Sequence, residues 1–273
     1  MTNNTLTRML KPYLRTMQLS WQKGLEYRFG ILYLLLEAIL PITAMVLLWK
    51  TIYESNGTMA GYTFNQMVTY FIAGRLINYL VLYPMDWKMH EMVNQGTLSS
   101  LLARPVDVQS YYFADMVGNR IVNFVLGCTP LGIIAILLRN YISLNPNYVE
   151  LILGIVAIML ACGMWFLLSW AVGCYVFWTH NLISILFMKE LIVMVLAGGF
   201  FPIDILPSPM VHIIKLTPFP YLTFFPIHVL TNTVNSDEVM NGLMMQAIWL
   251  TILFILGRIL WQIGMKKYVE AGG

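Results

Sequence analysis

Charge is scarce in this 273-residue sequence: Asp, Glu, Lys and Arg make up 11% of it, against 59% hydrophobic residues. A soluble domain carries about 25% charged residues, so too little polar surface is available to cover a water-soluble globule of this length. A helical bundle that fills a bilayer is the natural alternative. The net charge of +3 is too small, and too concentrated in the tails, for a nucleic-acid binder. Cysteine is nearly absent: Cys128, Cys162 and Cys174 lie inside apolar runs without metal-ligand spacing, and an odd count with no CxxC pair excludes a disulfide framework. Catalytic signatures are missing too. There is no GxxxxGK[ST], so ATP hydrolysis by that route is excluded from this chain. No GxSxG, no HExxH and no acid–base–nucleophile set falls on one side of the membrane. His90, His180, His212 and His228 are scattered and read as capping or interfacial residues. No catalytic residue, metal site or bound cofactor is assigned. The Asn56-Gly-Thr58 sequon reads as a chance match. The first 28 residues hold basic side chains and no uninterrupted apolar core, so the first apolar run is expected to stay as a span rather than be cleaved.

What is present is apolar length. A span needs about 20 apolar residues to cross about 30 Å of hydrocarbon. Six segments qualify: 29–49, 64–83, 111–138, 149–176, 181–200 and 245–263. Lys and Arg in the flanks orient them. With the N-terminus inside, Arg8, Lys11, Arg15, Lys23, Arg28, Lys88, Arg104, Lys266 and Lys267 are cytoplasmic, and only Lys50, Arg139 and Lys215 lie outside. Residues 1–28 form an interfacial unit ahead of a six-helix domain, 29–273. At about 100° per residue, Leu10, Leu14, Met17, Trp21 and Leu25 share one face and Arg8, Lys11, Arg15 and Lys23 the other. Such a helix lies at the inner membrane surface, as a topology anchor or as a lever that also touches a cytoplasmic partner.

The inner loop breaks a helix at Gly96, restarts it with Thr97 as N-cap, and stops it before Pro105. The resulting turn would present Leu98, Leu101 and Leu102 on one face. A helix this short is unstable alone, so it docks on a partner or on the protein's own helix ends. Residues 201–242 are apolar but broken by Pro202, Pro207, Pro209, Pro218, Pro220 and Pro226. Irregular backbone cannot face lipid, so short re-entrant or interfacial helices are expected there. Charges inside the spans are costly and mark partners or cavities. Glu37 and Arg75 both lie about 12–13 Å from the inner edge at 1.5 Å per residue, which suggests an ion pair. Lys189 and Glu190 fall at a similar depth. These charges either hold helices together or act in substrate passage. Arg258, near an inner end, can snorkel.

Taken in order, the basic N-terminal helix, the inner loop with Glu91, Gly96, Thr97, Leu98, Leu101, Leu102, Arg104 and Pro105, then Gly199-Phe-Phe-Pro202 and Pro207, resemble permeases of type-2 ATP-binding-cassette exporters. The resemblance covers nearly the whole chain and is greatest to a compact bacterial subgroup that includes viologen exporters. It implies an all-α membrane protein in the bacterial cytoplasmic membrane, with six transmembrane helices, both termini cytoplasmic, and a coupling helix at 97–104. It implies a dimeric nucleotide-binding ATPase subunit, which holds ATP and Mg, and a second permease, same or different. An amphipathic drug, lipid or peptide would be the substrate. The rival reading is a secondary transporter or channel using Glu37 and Arg75.

Overall fold

The computed structural model describes residues 3–26, 30–56, 61–143, 147–179 and 181–270, helical throughout with no sheet among them. In chain order the helices are α1 (Asn3–Glu26), α2 (Gly30–Asn56), α3 (Phe64–Val81), α4 (Met85–Asn94), α5 (Leu98–Leu102) and α6 (Val108–Leu137). They continue with α7 (Tyr148–Gly173), α8 (Ile183–Leu196), α9 (Ser208–Lys215), α10 (Phe224–Leu230) and α11 (Ser236–Glu270). Three stretches among the described residues are long and apolar enough to cross a membrane: Val108–Leu137, Tyr148–Phe177 and Ser236–Tyr268. In the most apolar 18 residues of each, only 28%, 39% and 17% are buried within the protein, which leaves most of these residues turned at least partly outward, where lipid satisfies them.

The other expected spans are present as helices but differ in form. α3 carries Asn65, Gln66, Arg75 and Asn78 within its 18 residues. α8 has 14 residues, about 21 Å at 1.5 Å per residue, against the expected 181–200. It stops early because Gly198 turns the chain into the left-handed region (φ +80°). There the Tyr70 hydroxyl donates to the Gly198 carbonyl at 2.7 Å, and a Cβ would overlap that hydroxyl. The proline-rich stretch that follows resolves into α9, α10 and short 3-10 turns, with Phe224, Phe225, Ile227 and Val229 of α10 buried.

α7 is the central strut and packs against α11, α10, α4 and α3. Ala157, Ala161, Met164 and Trp170 along it are fully enclosed. Glycines let neighbours approach closely: Gly154 lies under Leu230 and Gly173 under Met89. The helices alternate in direction, giving two poles. One holds α4, α5, the start of α6 and the ends of α7 and α11, with α1 laid against α6. The other holds the start of α3, Ser143, α10 and the start of α11.

The N-terminal helix packs by a face that the expected amphipathic division leaves out. Leu14 and Trp21 are exposed, as are Lys11 and Arg15, whereas Thr16 and Ser20 are buried against α6. A Cβ on Gly118 would overlap the Met17 carbonyl, so the glycine sets how closely α1 approaches. Small and hydroxylated residues let membrane helices touch in this way. The side chains of Arg8, Leu10, Lys23 and Leu25 lie outside the described residues, as do Arg28, Phe29 and His180.

Candidate coupling site

The site is built around the hinge between α3 and α4. Asp86 sits in the first turn of α4, where a negative charge complements the helix dipole, and is fully enclosed. Its carboxylate accepts a short hydrogen bond from the Lys189 ammonium of α8. The same ammonium lies 3.4 Å from the Ser169 hydroxyl and 4.4 Å from the centre of the Trp165 ring. Burial raises the Asp86 carboxyl above its ordinary pKa, against the pull of Lys189. One residue on, the Trp87 indole donates to Glu190 at 3.1 Å. Lys189 and Glu190 are therefore both engaged, each with the first turn of α4.

A second knot forms on α6. Asp115 accepts from Lys88 of α4 at 2.5 Å, and by short bonds from the Ser20 hydroxyl of α1 and the Tyr83 hydroxyl at the hinge. Arg120 caps the free Leu82 carbonyl and lies 5.7 Å from the Tyr83 ring centre. A third knot holds the far end of the loop. Asp107 caps α6 by accepting from the Ser110 amide at 2.8 Å, and takes the Arg258 guanidinium of α11 at 2.8 Å. Its own amide donates to the Tyr13 hydroxyl of α1 at 3.3 Å. Burial pushes the Asp107 carboxyl up, but Arg258 and Ser110 outweigh it and hold it below its usual value. The segment between α3 and α6 is thus tied to α1, α6, α8 and α11. Arg258, expected to snorkel, is paired instead.

Between the knots lies the expected coupling helix. Gly96 ends α4 at φ +69°, a conformation that favours glycine. Thr97 makes no N-cap bond; its hydroxyl donates back to the Met92 carbonyl at 3.2 Å. α5 is a five-residue turn. Its leucines do not share one outward face: Leu98 and Leu101 are 0% and 7% exposed and join a core with Met89, Met92 and Val108, while Leu102 is 38% exposed. Positions i, i+3 and i+4 lie on one side of a turn, and that side faces the protein, with Leu102 at its exposed edge. The outward edge is Glu91, Ser99, Ser100, Leu102, Ala103, Arg104 and Pro105, with Gly96 and Thr97 also exposed.

The mid-depth pair is geometrically complete. Arg75 donates to the Glu37 carboxylate at 2.5 Å and, through the same nitrogen, to the Glu37 backbone carbonyl at 2.7 Å. That carbonyl is free because Pro41, four residues on, has no N–H to give it. Arg75 and Glu190 line a cleft of about 360 Å³ between α2, α3, α8 and α10, whose walls include Ile42, Met45, Phe71 and Met194. The singles Glu37→Gln and Arg75→Gln are each expected to lower the melting temperature of the detergent-purified protein more than the double variant does. A lone buried charge keeps its desolvation cost, and coupling energies of about 0.5–3 kcal/mol are usual for touching pairs. Additive losses across the cycle would show that the contact has no energetic weight.

Outward apolar helices, a centrally packed strut and one pole knotted by ion pairs define a multi-pass helical membrane protein. The sequence model of the ABC-2 family transporter proteins matches residues 39–272, and the chain belongs to that family. No curated protein gives a match. Membership implies a membrane setting and, in general terms, a separate ATP-binding partner subunit.

The sequence pointed to Lys189 and Glu190 without their partners. It passed over Asp115 and Arg120, although both are ionisable residues inside an expected span and the cost of burying charge marks them.

Proposed function

We propose that this chain is the permease of an exporter driven by ATP and Mg bound in a separate dimeric nucleotide-binding subunit, and that a second permease, the same chain or another, completes the pathway. The carrying observation is the segment from Asp86 to Asp107: an exposed edge at α5, flanked on both sides by ion pairs to α6, α8 and α11 and by hydrogen bonds to α1. A push on that edge is delivered to four helices at once. Binding energy that differs between two states of the partner is what shifts such an equilibrium.

The cleft beside Arg75 supplies half a route for an amphipathic drug, lipid or peptide. Phe187, Met188 and Leu191 of α8, with Leu40 and Leu47 of α2, expose apolar surface that the second permease would cover. Mutual neutralisation of Glu37 and Arg75 leaves neither free to carry a coupling ion, which favours this reading over a secondary transporter or channel. All six expected segments cross the bacterial cytoplasmic membrane, with the α4–α5 pole and both termini inside and the proline-rich helices at the outer leaflet.

The orientation is tested by labelling. In a background with Cys128, Cys162 and Cys174 replaced by alanine, Asn56→Cys and Ser236→Cys are expected to react with an impermeant maleimide applied from outside. Thr5→Cys and Ser99→Cys are expected to react only after permeabilisation. Outside labelling of the latter two would overturn the topology.

A further inference from the structure

The opposite pole carries a second cavity, of about 350 Å³, that the coupling site does not use. This volume lies at the small end of small-molecule sites, about 300–1,000 Å³. Its floor is Thr69, Tyr70 and His228, all nearly fully buried, and its rim is Gln66, Ser143, Asn232 and Thr233, all exposed. No Asp, Glu, Lys or Arg among the described residues lines it.

The floor is held in place by its own polar chain. The Tyr62 hydroxyl lies 3.2 Å from both Asp204 and His228 Nε2, and His228 Nδ1 lies 2.5 Å from the Thr233 hydroxyl. The Thr69 hydroxyl accepts from the Ser143 amide at 2.9 Å. Asp204 stands behind Tyr62, 3.7 Å from Lys215, so its charge is offset outside the cavity. Burial pushes His228 down to about 4, with Asp204 raising it and Lys215 lowering it further, so the imidazole is neutral at physiological pH. The rim keeps unspent hydrogen-bonding capacity: the Asn232 side-chain amide and the Ser143 hydroxyl have no partner among the described residues. Asn232 is the one non-glycine described residue at positive φ (+55°), which turns its amide-bearing loop over the mouth.

A cavity with hydroxyl and amide walls, two tyrosine rings and no net charge suits a ligand of the same kind. Its described lining offers no counter-charge to a desolvated ion. We propose that this pocket binds a small neutral polyhydroxylated ligand: a free sugar or the sugar headgroup of a glycolipid. Asn232, Ser143, Thr231 and Gln66 at the mouth meet its hydroxyls, above the floor of Thr69, Tyr70 and His228.

The test is saturation-transfer NMR on the full chain, purified in a detergent without a sugar headgroup. The probes are methyl α-glucoside, dodecyl maltoside, tetraethylammonium and methylphosphonate. Asn232→Gly removes the amide while suiting the backbone conformation better than asparagine does; it is combined with Ser143→Ala, an exposed position. Melting curves on the same samples confirm folding. Transfer to methyl α-glucoside that falls about tenfold in the double variant supports the pocket as a free-sugar site. Variant-sensitive transfer to the maltosyl protons of dodecyl maltoside alone supports a glycolipid headgroup. No variant-sensitive transfer to either sugar, or equal transfer to tetraethylammonium or methylphosphonate, overturns the proposal.

Discussion

Asp86→Asn is expected to destabilise the detergent-solubilised protein by about 3–5 kcal/mol, because it leaves the Lys189 ammonium buried without a counter-charge. Lys189→Met is expected to cost a similar amount by stranding Asp86, which is wholly enclosed. The double replacement Asp86→Leu/Lys189→Met should recover most of this loss. Well-packed apolar residues often replace a buried pair at no net cost, and the raised pKa of Asp86 shows that burial outweighs the attraction of its partner. The pair therefore earns its place by position more than by stability: it ties the poorly packed α8 to the first turn of α4. The double variant is expected to melt near the parent temperature yet lose most of its transport. Melting followed by tryptophan fluorescence, beside uptake into inverted vesicles, separates the two effects. A double variant that transports at the parent rate would show that the tie between α4 and α8 transmits nothing.

Some of this architecture could be read along the chain, for identifiable reasons. Composition excluded a soluble globule, and long apolar runs located α6 and α7 to within a few residues, whereas α11 extends well beyond both ends of the expected 245–263. Glu37 and Arg75 were legible because depth follows from helical rise, and Pro41 marks the carbonyl that Arg75 also occupies. Partners brought together across long sequence separations were not legible. Asp86 and Lys189 stand 103 positions apart, and only the rotation of each helix in the bundle decides that they meet. The same holds for Asp107 and Arg258. The orientation of α5 escaped for another reason: its leucines share one side of the turn, and spacing alone does not tell whether that side meets a partner or the protein's own helices. The contact face of α1 was missed because a count of large apolar and charged residues passes over Thr16 and Ser20, which make the contact. α8 ended early because a single glycine at positive φ breaks a run whose composition is otherwise uniform.

The outward edge of α5 is where coupling to an ATPase subunit is most directly tested. Leu102→Asp places a charge on that edge at an exposed position, so the permease should insert, fold and melt as the parent does. If the edge seats in the nucleotide-binding subunit, the charge removes part of the about 1.5–3 kcal/mol that burying a leucine supplies and adds a desolvation cost. The loss of affinity should exceed tenfold. Leu98→Asp, at a position that is 0% exposed, should behave differently and reduce the yield of folded permease itself. The measurement is the amount of ATPase subunit retained on tagged, detergent-purified permease, per mole of permease, with substrate-stimulated hydrolysis read on the same samples. The expected result is full permease yield with little retained ATPase for Leu102→Asp, and low permease yield for Leu98→Asp. Full ATPase retention and full stimulation in Leu102→Asp would contradict the coupling role of this pole.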